Sequence, residues 1–198
     1  MNTHTLVMLD AGHGENTPGK RSPDGRLREY AFARTMVQRI ARRLEALGTP
    51  TLAVTPETTD IPLTERVRRA NAAYLAHRRD AVLISIHCNA AGCGQWMAAH
   101  GWSVHVDPAA SATSRQLAGC LHDAAVRHGL AVRRSQPKDK FITQPLYICG
   151  RHAAYPAVLT ENLFQDNRQD VEFLLSEAGR QCIEDLHVDA VKAFLSLM

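Results

Sequence analysis

Short apolar runs alternate with longer segments of helical periodicity along most of the chain. Several runs are apolar at nearly every position, which is typical of strands covered on both faces. Because helical segments separate these runs, the order predicts an α/β fold with a largely parallel sheet and helices on both faces. We expect residues 1–198 to form a single domain. The predicted strands are residues 5–10, 51–55, 81–87, 102–106 and 157–161.

Four segments predict helices because their apolar residues recur at spacings of three and four. In residues 27–47 this stripe includes Met36, Ile40 and Leu44, and Gly48 ends the segment. The polar segment 131–144, which contains Pro137, is interpreted as a surface loop. The other predicted helices are residues 63–78, 114–128 and 179–195.

Composition and charge favour a soluble globular protein. Hydrophobic residues make up 45% and charged residues 22%, and the net charge is only +3. Much of the positive excess is arginine on helix faces, so we expect no nucleic-acid partner. No apolar run approaches 18 residues, so we expect no membrane insertion. The first ten residues enter a strand at once, which predicts synthesis in the cytoplasm without a signal peptide.

The five cysteines do not indicate a disulfide framework. Their number is odd, and no pair has the CxxC spacing of a cysteine zinc site. We expect free thiols, as in a reducing compartment.

Three residues with metal-binding or acid–base side chains occur at or just beyond the ends of predicted strands. His13 follows the first strand, His87 closes the third and Glu161 closes the fifth. Glu29 lies near the start of the first predicted helix. The carboxyl ends of parallel strands meet at one edge of a sheet, where ligands bind. We therefore expect these four side chains to converge there.

Two histidines and one carboxylate are a common ligand set for catalytic zinc, which keeps an open position for water. Glu161 could then move protons as a carboxylate outside the metal shell, and the glycines around His13 would permit a sharp bend. Each residue also has an ordinary explanation, such as a loop histidine or a glutamate at a helix dipole. Over fifty residues separate Glu29 from His87. The residues alone leave these explanations open.

Six segments resemble motifs of the zinc-dependent N-acetylmuramoyl-L-alanine amidases, the catalytic domains of bacterial cell-separation enzymes and many phage lysins. Each motif is weak alone, but the set occurs in the family's order and spans almost the whole chain. The segments are 9-LDAGHG-14, 27-LREYAFA-33, 66-RVRRAN-71, 84-ISIHCNA-90, 101-GWSV-104 and 156-PAVLTENLFQDN-167.

The resemblance implies a twisted, mostly parallel sheet of about six strands. It implies one zinc ion held by His13, Glu29 and His87, with Glu161 as the catalytic acid and base. The implied reaction hydrolyses the amide between the lactyl group of N-acetylmuramic acid and L-alanine. Peptidoglycan or muramyl peptides are therefore the expected substrates, reached by an export route that the sequence does not identify. We expect a monomer.

The chain departs from the family pattern after the second strand. Family members often have a threonine–arginine pair there, whereas this chain has Pro56 in 54-VTPETTD-60. Some members also carry an inserted helix that blocks the zinc. Only 91-AGCGQWMAAH-100 follows the second histidine motif here, so we expect an open site that needs no activator.

Several further residues have two interpretations. In the charged loop at residues 15–27, Lys20, Arg21 and Arg26 could meet stem-peptide carboxylates or could simply be solvated. Cys88, beside His87, could be a thiolate ligand. As the next residue on a strand it should instead point to the opposite face, as a buried thiol.

Two alternatives to the amidase remain at this stage. A zinc peptidase that cleaves within peptides would use the same ligand set. A catalytically silent wall-binding module is the other, although such a module need not retain all four of His13, Glu29, His87 and Glu161.

Overall fold

A computed structural model describes residues 4–133 and 138–198. Within them, six strands form one sheet in the order β2–β1–β3–β6–β4–β5. Neighbouring strands are parallel except β4 and β6, which are antiparallel. The predicted α/β fold with a mostly parallel sheet is confirmed. The strands are β1 (Leu6–Ala11), β2 (Thr51–Ala53), β3 (Ala81–Asn89), β4 (Ser103–Val106), β5 (Ile142–Thr143) and β6 (Ala157–Phe164).

Five helices accompany the sheet in the described part of the chain. Four of them match predicted helices to within a few residues, and α4 was missed. Its eight residues are too few to establish a helical period, although Asn167 caps its first turn by accepting from two main-chain N–H groups. The helices are α1 (Glu29–Ala46), α2 (Leu63–Ala76), α3 (Ala112–Arg127), α4 (Arg168–Leu175) and α5 (Glu177–Leu195).

Helices cover both faces of the sheet, as predicted. On one face, α1, α3 and α5 enclose the larger core, in which Leu9 and Ile84 are fully buried. On the other face, Val67 of α2 packs in a smaller core with Met8 and Leu83. Burying an aliphatic side chain of this size contributes roughly 1.5–3 kcal/mol. Two apolar faces therefore fix the sheet on which the site is built.

Three predicted boundaries were wrong. β3 continues to Asn89, so His87 lies within the strand and does not close it. β6 continues to Phe164, so Glu161 lies within the strand and does not close it. The segment predicted as a surface loop, residues 131–144, contains β5 and a bridge between Trp102 and Val132. β5 is an edge strand of two residues that pairs only with β4, which leaves no apolar run to recognise. Pro137 of that segment lies outside the described residues.

None of the helices in the described ranges combines the length and the apolar character that crossing a membrane requires. All five cysteines are free thiols.

Candidate metal centre

The three predicted ligands meet at the carboxyl edge of the parallel strands. His13 lies just beyond β1, His87 lies in the adjacent strand β3, and Glu29 is the first residue of α1. One ligand atom from each lies within 4.8 Å of the other two. Among the described residues, no other group of three or more His, Cys, Asp or Glu side chains has this arrangement.

Glu29 is the centre of this cluster. Its Oε1 lies 3.0 Å from Nδ1 of His87 and 3.5 Å from Nε2 of His13. The two imidazole rings stand nearly perpendicular, with centroids 5.0 Å apart. The Glu29 side chain is buried, whereas 22% of the His13 side chain and 16% of the His87 side chain are exposed. Solvent and substrate can therefore reach the cluster from the histidine side.

The cluster has the properties of a cation site. Oε2 of Glu29 is buried and has no hydrogen-bond partner in the described part of the chain. Leaving such an atom unpaired costs roughly 1–3 kcal/mol, and more for a charged group. Two imidazole nitrogens and one carboxylate form a ligand set of catalytic zinc, with a fourth position left for water. These residues therefore fit a zinc ion.

The protonation behaviour of the cluster also favours metal binding. Burial lowers the pKa of His13 to about 4, which keeps its ring neutral at neutral pH. Burial would raise the pKa of Glu29, but its hydrogen bond and charge interaction with His87 outweigh that effect and lower it. The same contact raises the pKa of His87 despite its burial. Metal binding displaces a proton from histidine. The pair of Glu29 and His87 would therefore release a proton when it binds a metal ion.

The glycines around His13 have a different role from the predicted one. His13 itself has φ of +58°, in the left-handed region that few side chains adopt. At Gly12, a Cβ would lie 2.5 Å from ring atoms of His87. At Gly14, a Cβ would overlap the main chain of Asp60. The glycines provide close packing between ligand loops, and the bend is at His13.

Glu161 stands beside the cluster without belonging to it. It is the register partner of His87 across the parallel pair of β3 and β6, so both side chains project from the same face. Burial raises the pKa of Glu161 to about 7, and its Oε2 has no hydrogen-bond partner among the described residues. A carboxyl group of this kind can accept or release a proton near neutral pH.

Arg66, at the start of α2, fixes the loop that carries His13, and the sequence did not single it out. Only 2% of its surface is exposed. Its guanidinium donates to the carboxylates of Asp10 and Asp60 at 2.9 and 2.8 Å. It also donates to the main-chain carbonyls of Ala11 and His13 at 2.7 and 3.3 Å. Because these acceptors surround it, Arg66 holds the end of β1 and the metal-ligand loop together.

Two cavities have walls that include the loop after β1. One, of about 580 Å³, lies beside His13 and His87 between apolar residues that include Leu63 and Leu146. The other, of about 280 Å³, begins at Gly14, the residue after His13. The charged loop that contains Lys20 forms much of its wall. The first cavity is therefore an apolar groove and the second a polar one.

The side chains of Cys88, Arg26 and the two tryptophans have contacts outside the metal centre. Cys88 is buried in the larger core, and burial raises the pKa of its thiol well above the usual value. Arg26 contacts Asp24 and Glu172, away from the cluster. Trp102 is fully buried, and Trp96 lies under the guanidinium of Arg168. No helix occurs between β3 and β4, so the described chain holds no inserted blocking helix.

The chain is similar to proteins of known class. It is 28% identical over 201 residues to the endolysin of Bacillus phage SPP1. That match covers 97% of this chain and 66% of the endolysin, so the chain spans slightly less than two thirds of this relative.

Solved structures share the fold. An N-acetylmuramoyl-L-alanine amidase from Clostridium difficile 630 superposes with a TM-score of 0.83 at 22% identity, covering 98% of both chains. The N-acetylmuramyl-L-alanine amidase Ami1 from Mycobacterium smegmatis gives the same TM-score at 21% identity, again with 98% of both chains covered.

The family profile described as N-acetylmuramoyl-L-alanine amidase (Amidase_3) matches residues 7–193. This range contains both histidines, Glu29 and Glu161, and it covers nearly the whole chain. The protein therefore belongs to the N-acetylmuramoyl-L-alanine amidase family.

Proposed function

We propose that this chain is a zinc-dependent N-acetylmuramoyl-L-alanine amidase that acts on peptidoglycan. The observation that carries the proposal is the cluster of His13, Glu29 and His87, with an unpartnered Glu29 oxygen and Glu161 beside it. The family profile and the similarity to a phage endolysin support the substrate. The bond cleaved would be the amide between the lactyl group of N-acetylmuramic acid and L-alanine.

In this proposal His13, Glu29 and His87 hold one zinc ion. The bound ion would supply Lewis acidity toward the scissile carbonyl and lower the pKa of water. Glu29 also fixes the orientation of His87, because its Oε1 meets both Nδ1 of His87 and the main-chain N–H of Cys88. Holding the ligands rigidly preserves the geometry of the centre.

Glu161 would act as general base and then as general acid. Its carboxylate accepts a proton from the attacking water, and the protonated group later donates to the leaving amine of L-alanine. Burial next to His87 keeps the carboxyl close to the reacting bond and away from bulk water. Because its pKa is raised to about 7, both protonation states are accessible near neutrality. A bound dication would lower that value and favour the base form.

The test is mass spectrometry of purified peptidoglycan incubated with the protein, with and without a zinc chelator. The amidase predicts release of stem peptides with a free L-alanine amine and bare glycan strands, abolished by chelation and restored by zinc. The full chain is used without an added activator, because the described residues between β3 and β4 contain no helix.

The same experiment separates the alternatives. Cleavage within the stem peptide would instead identify a zinc peptidase. A protein that contains no zinc and releases no product would be a silent wall-binding module. The monomeric state stays a prediction, which light scattering would examine. Fractionation of producing cells would locate the protein and so address the export route.

A further inference from the structure

The polar cavity next to His13 carries an excess of positive charge. Lys20, Arg21 and Arg28 contribute three cationic side chains to its wall, and Glu15 contributes one anionic side chain. By contrast, the apolar groove has one arginine, Arg66, and it is already paired with two carboxylates, those of Asp10 and Asp60. The two cavities therefore differ in the charge they can accept.

Lys20 is the cation of this cavity whose main chain is hydrogen-bonded to a ligand of the metal centre. Its main-chain carbonyl accepts a hydrogen bond of 3.0 Å from the N–H of Glu29. Burial has the largest effect on the pKa values of His13, Glu29 and Glu161, and the Lys20 charge lowers all three. The side chain is half-buried and has no ion pair with another described residue. Its ammonium is therefore available to a ligand.

The other cations of the loop are less suitable. Arg26 is engaged by Asp24 and Glu172. Arg28 donates to the main-chain carbonyl of Glu15 and stacks on the ring of Tyr30. Arg21 is exposed, and its charge is not among those that act on His13, Glu29 and Glu161, whereas the charge of Lys20 acts on all three.

We infer that the cavity at Lys20 binds a carboxylate of the stem peptide, while the apolar groove takes the uncharged glycan side. This inference rests on the proposed amidase function. The second stem residue is γ-linked D-glutamate, whose α-carboxyl is either free or amidated. A free carboxylate one residue beyond the scissile bond matches the ammonium of Lys20, which has no ion pair with another described residue. Lys20 therefore makes the enzyme prefer stems with the free acid.

The test uses the zinc-loaded full chain and two uncrosslinked peptidoglycan polymers that differ only in amidation of that carboxyl. Both polymers compete in one reaction, and mass spectrometry of the released stems gives the ratio of kcat/KM values. A hydrogen bond between charged partners predicts a preference of about tenfold for the acid form. The ratio should fall to about one in Lys20→Gln and persist in Lys20→Arg.

Arg26→Gln is the matched control, because it removes one positive charge from the same loop away from the cluster. It should keep the preference. Any general effect of charge on the zinc or on Glu161 changes both rates equally and cancels in the ratio. Equal rates in the native chain, or an unchanged ratio in Lys20→Gln, would overturn the inference and leave the amidase intact. Failure to cleave either polymer at the lactyl–alanine bond would remove the proposed function and this inference together.

Discussion

The guanidinium of Arg66 donates to the main-chain carbonyl of His13, a residue 53 positions earlier in the chain. That contact holds a metal-ligand candidate in the left-handed conformation, which costs a non-glycine residue roughly 1–2 kcal/mol. Asp60 connects the same arrangement to Gly14, because Thr17 donates to Asp60 and accepts from the N–H of Gly14. The aim of the His13 ring is thus set by residues that need not touch the metal.

The first prediction concerns Arg66→Lys. The ammonium keeps the charge next to Asp10 but cannot reproduce the fork of donors that reaches Ala11, His13 and Asp60. We expect zinc to bind roughly 10–100-fold more weakly, as for other groups that orient metal ligands. A competition titration against a chromophoric chelator measures the change.

Arg68→Lys is the matched control for this variant. Arg68 is exposed, lies two positions further along α2, and forms its ion pair with half-buried Glu65. Its replacement should leave zinc affinity unchanged. Native affinity in Arg66→Lys would show that the His13 loop keeps its conformation without the guanidinium. Arg66→Ala is less informative, because an unpaired Asp10 would destabilise the fold by roughly 3–5 kcal/mol.

The second prediction concerns Gly12→Ala. The new Cβ would lie 2.5 Å from ring atoms of His87, so the ring must move and its ligand nitrogen with it. We expect zinc affinity to fall at least about tenfold, by the same dependence on ligand orientation. Gly119→Ala, in the interior of α3, is the control. A Cβ at Gly119 would meet only Cδ of Lys140, at 3.9 Å. That change should stabilise the helix by roughly 0.5–1 kcal/mol and leave zinc binding intact.

The convergence of the candidate ligands was predictable, because it follows from strand order. His13 follows β1, His87 lies two residues before the end of the neighbouring parallel strand β3, and Glu29 begins α1. Topology alone therefore brings them to one edge. The same rule brought Glu161 there although its strand boundary was misjudged. The position of Glu161 follows from its parallel register with His87, and not from the end of its strand.

The role of Arg66 was not predictable by the same reasoning. Three arginines crowd the start of α2, and only burial distinguishes Arg66 from Arg68 and Arg69. One signal was present: Arg66 precedes Ala70 by one helical turn, on the side that faces the sheet. Charge on a buried face requires partners, and those partners come from loops whose course no local pattern specifies.

The third prediction separates chemistry from metal binding at Glu161. Glu161→Gln removes the proton acceptor, and its amide cannot take a proton from water. We expect turnover on peptidoglycan to fall about 10²–10⁴-fold, with zinc content unchanged. Zinc is measured by atomic emission on the same preparation that is assayed. Loss of zinc from the variant would instead make Glu161 a ligand, and near-native activity would remove it from the mechanism.

The fourth prediction concerns stability at mildly acidic pH. His187 is fully buried, with Nε2 3.1 Å from Oγ1 of Thr160 and Nδ1 2.7 Å from the carbonyl of Ile183. Burial lowers its pKa to about 4, from an ordinary value of 6.5. The unfolded chain therefore binds a proton that the folded chain excludes, and stability falls as the pH drops from 6.5 toward 4.

For His187 alone, the loss between pH 7 and pH 5 amounts to roughly 2 kcal/mol in the free energy of unfolding. His105, whose pKa burial also lowers to about 4, adds a similar loss. Urea titrations at both pH values measure the native drop. In His187→Gln, whose amide can still donate to Ile183 and accept from Thr160, the drop should shrink by about 2 kcal/mol. A drop that is the same in both proteins would mean that His187 becomes protonated without unfolding, and that the buried contact between α5 and β6 admits a charge.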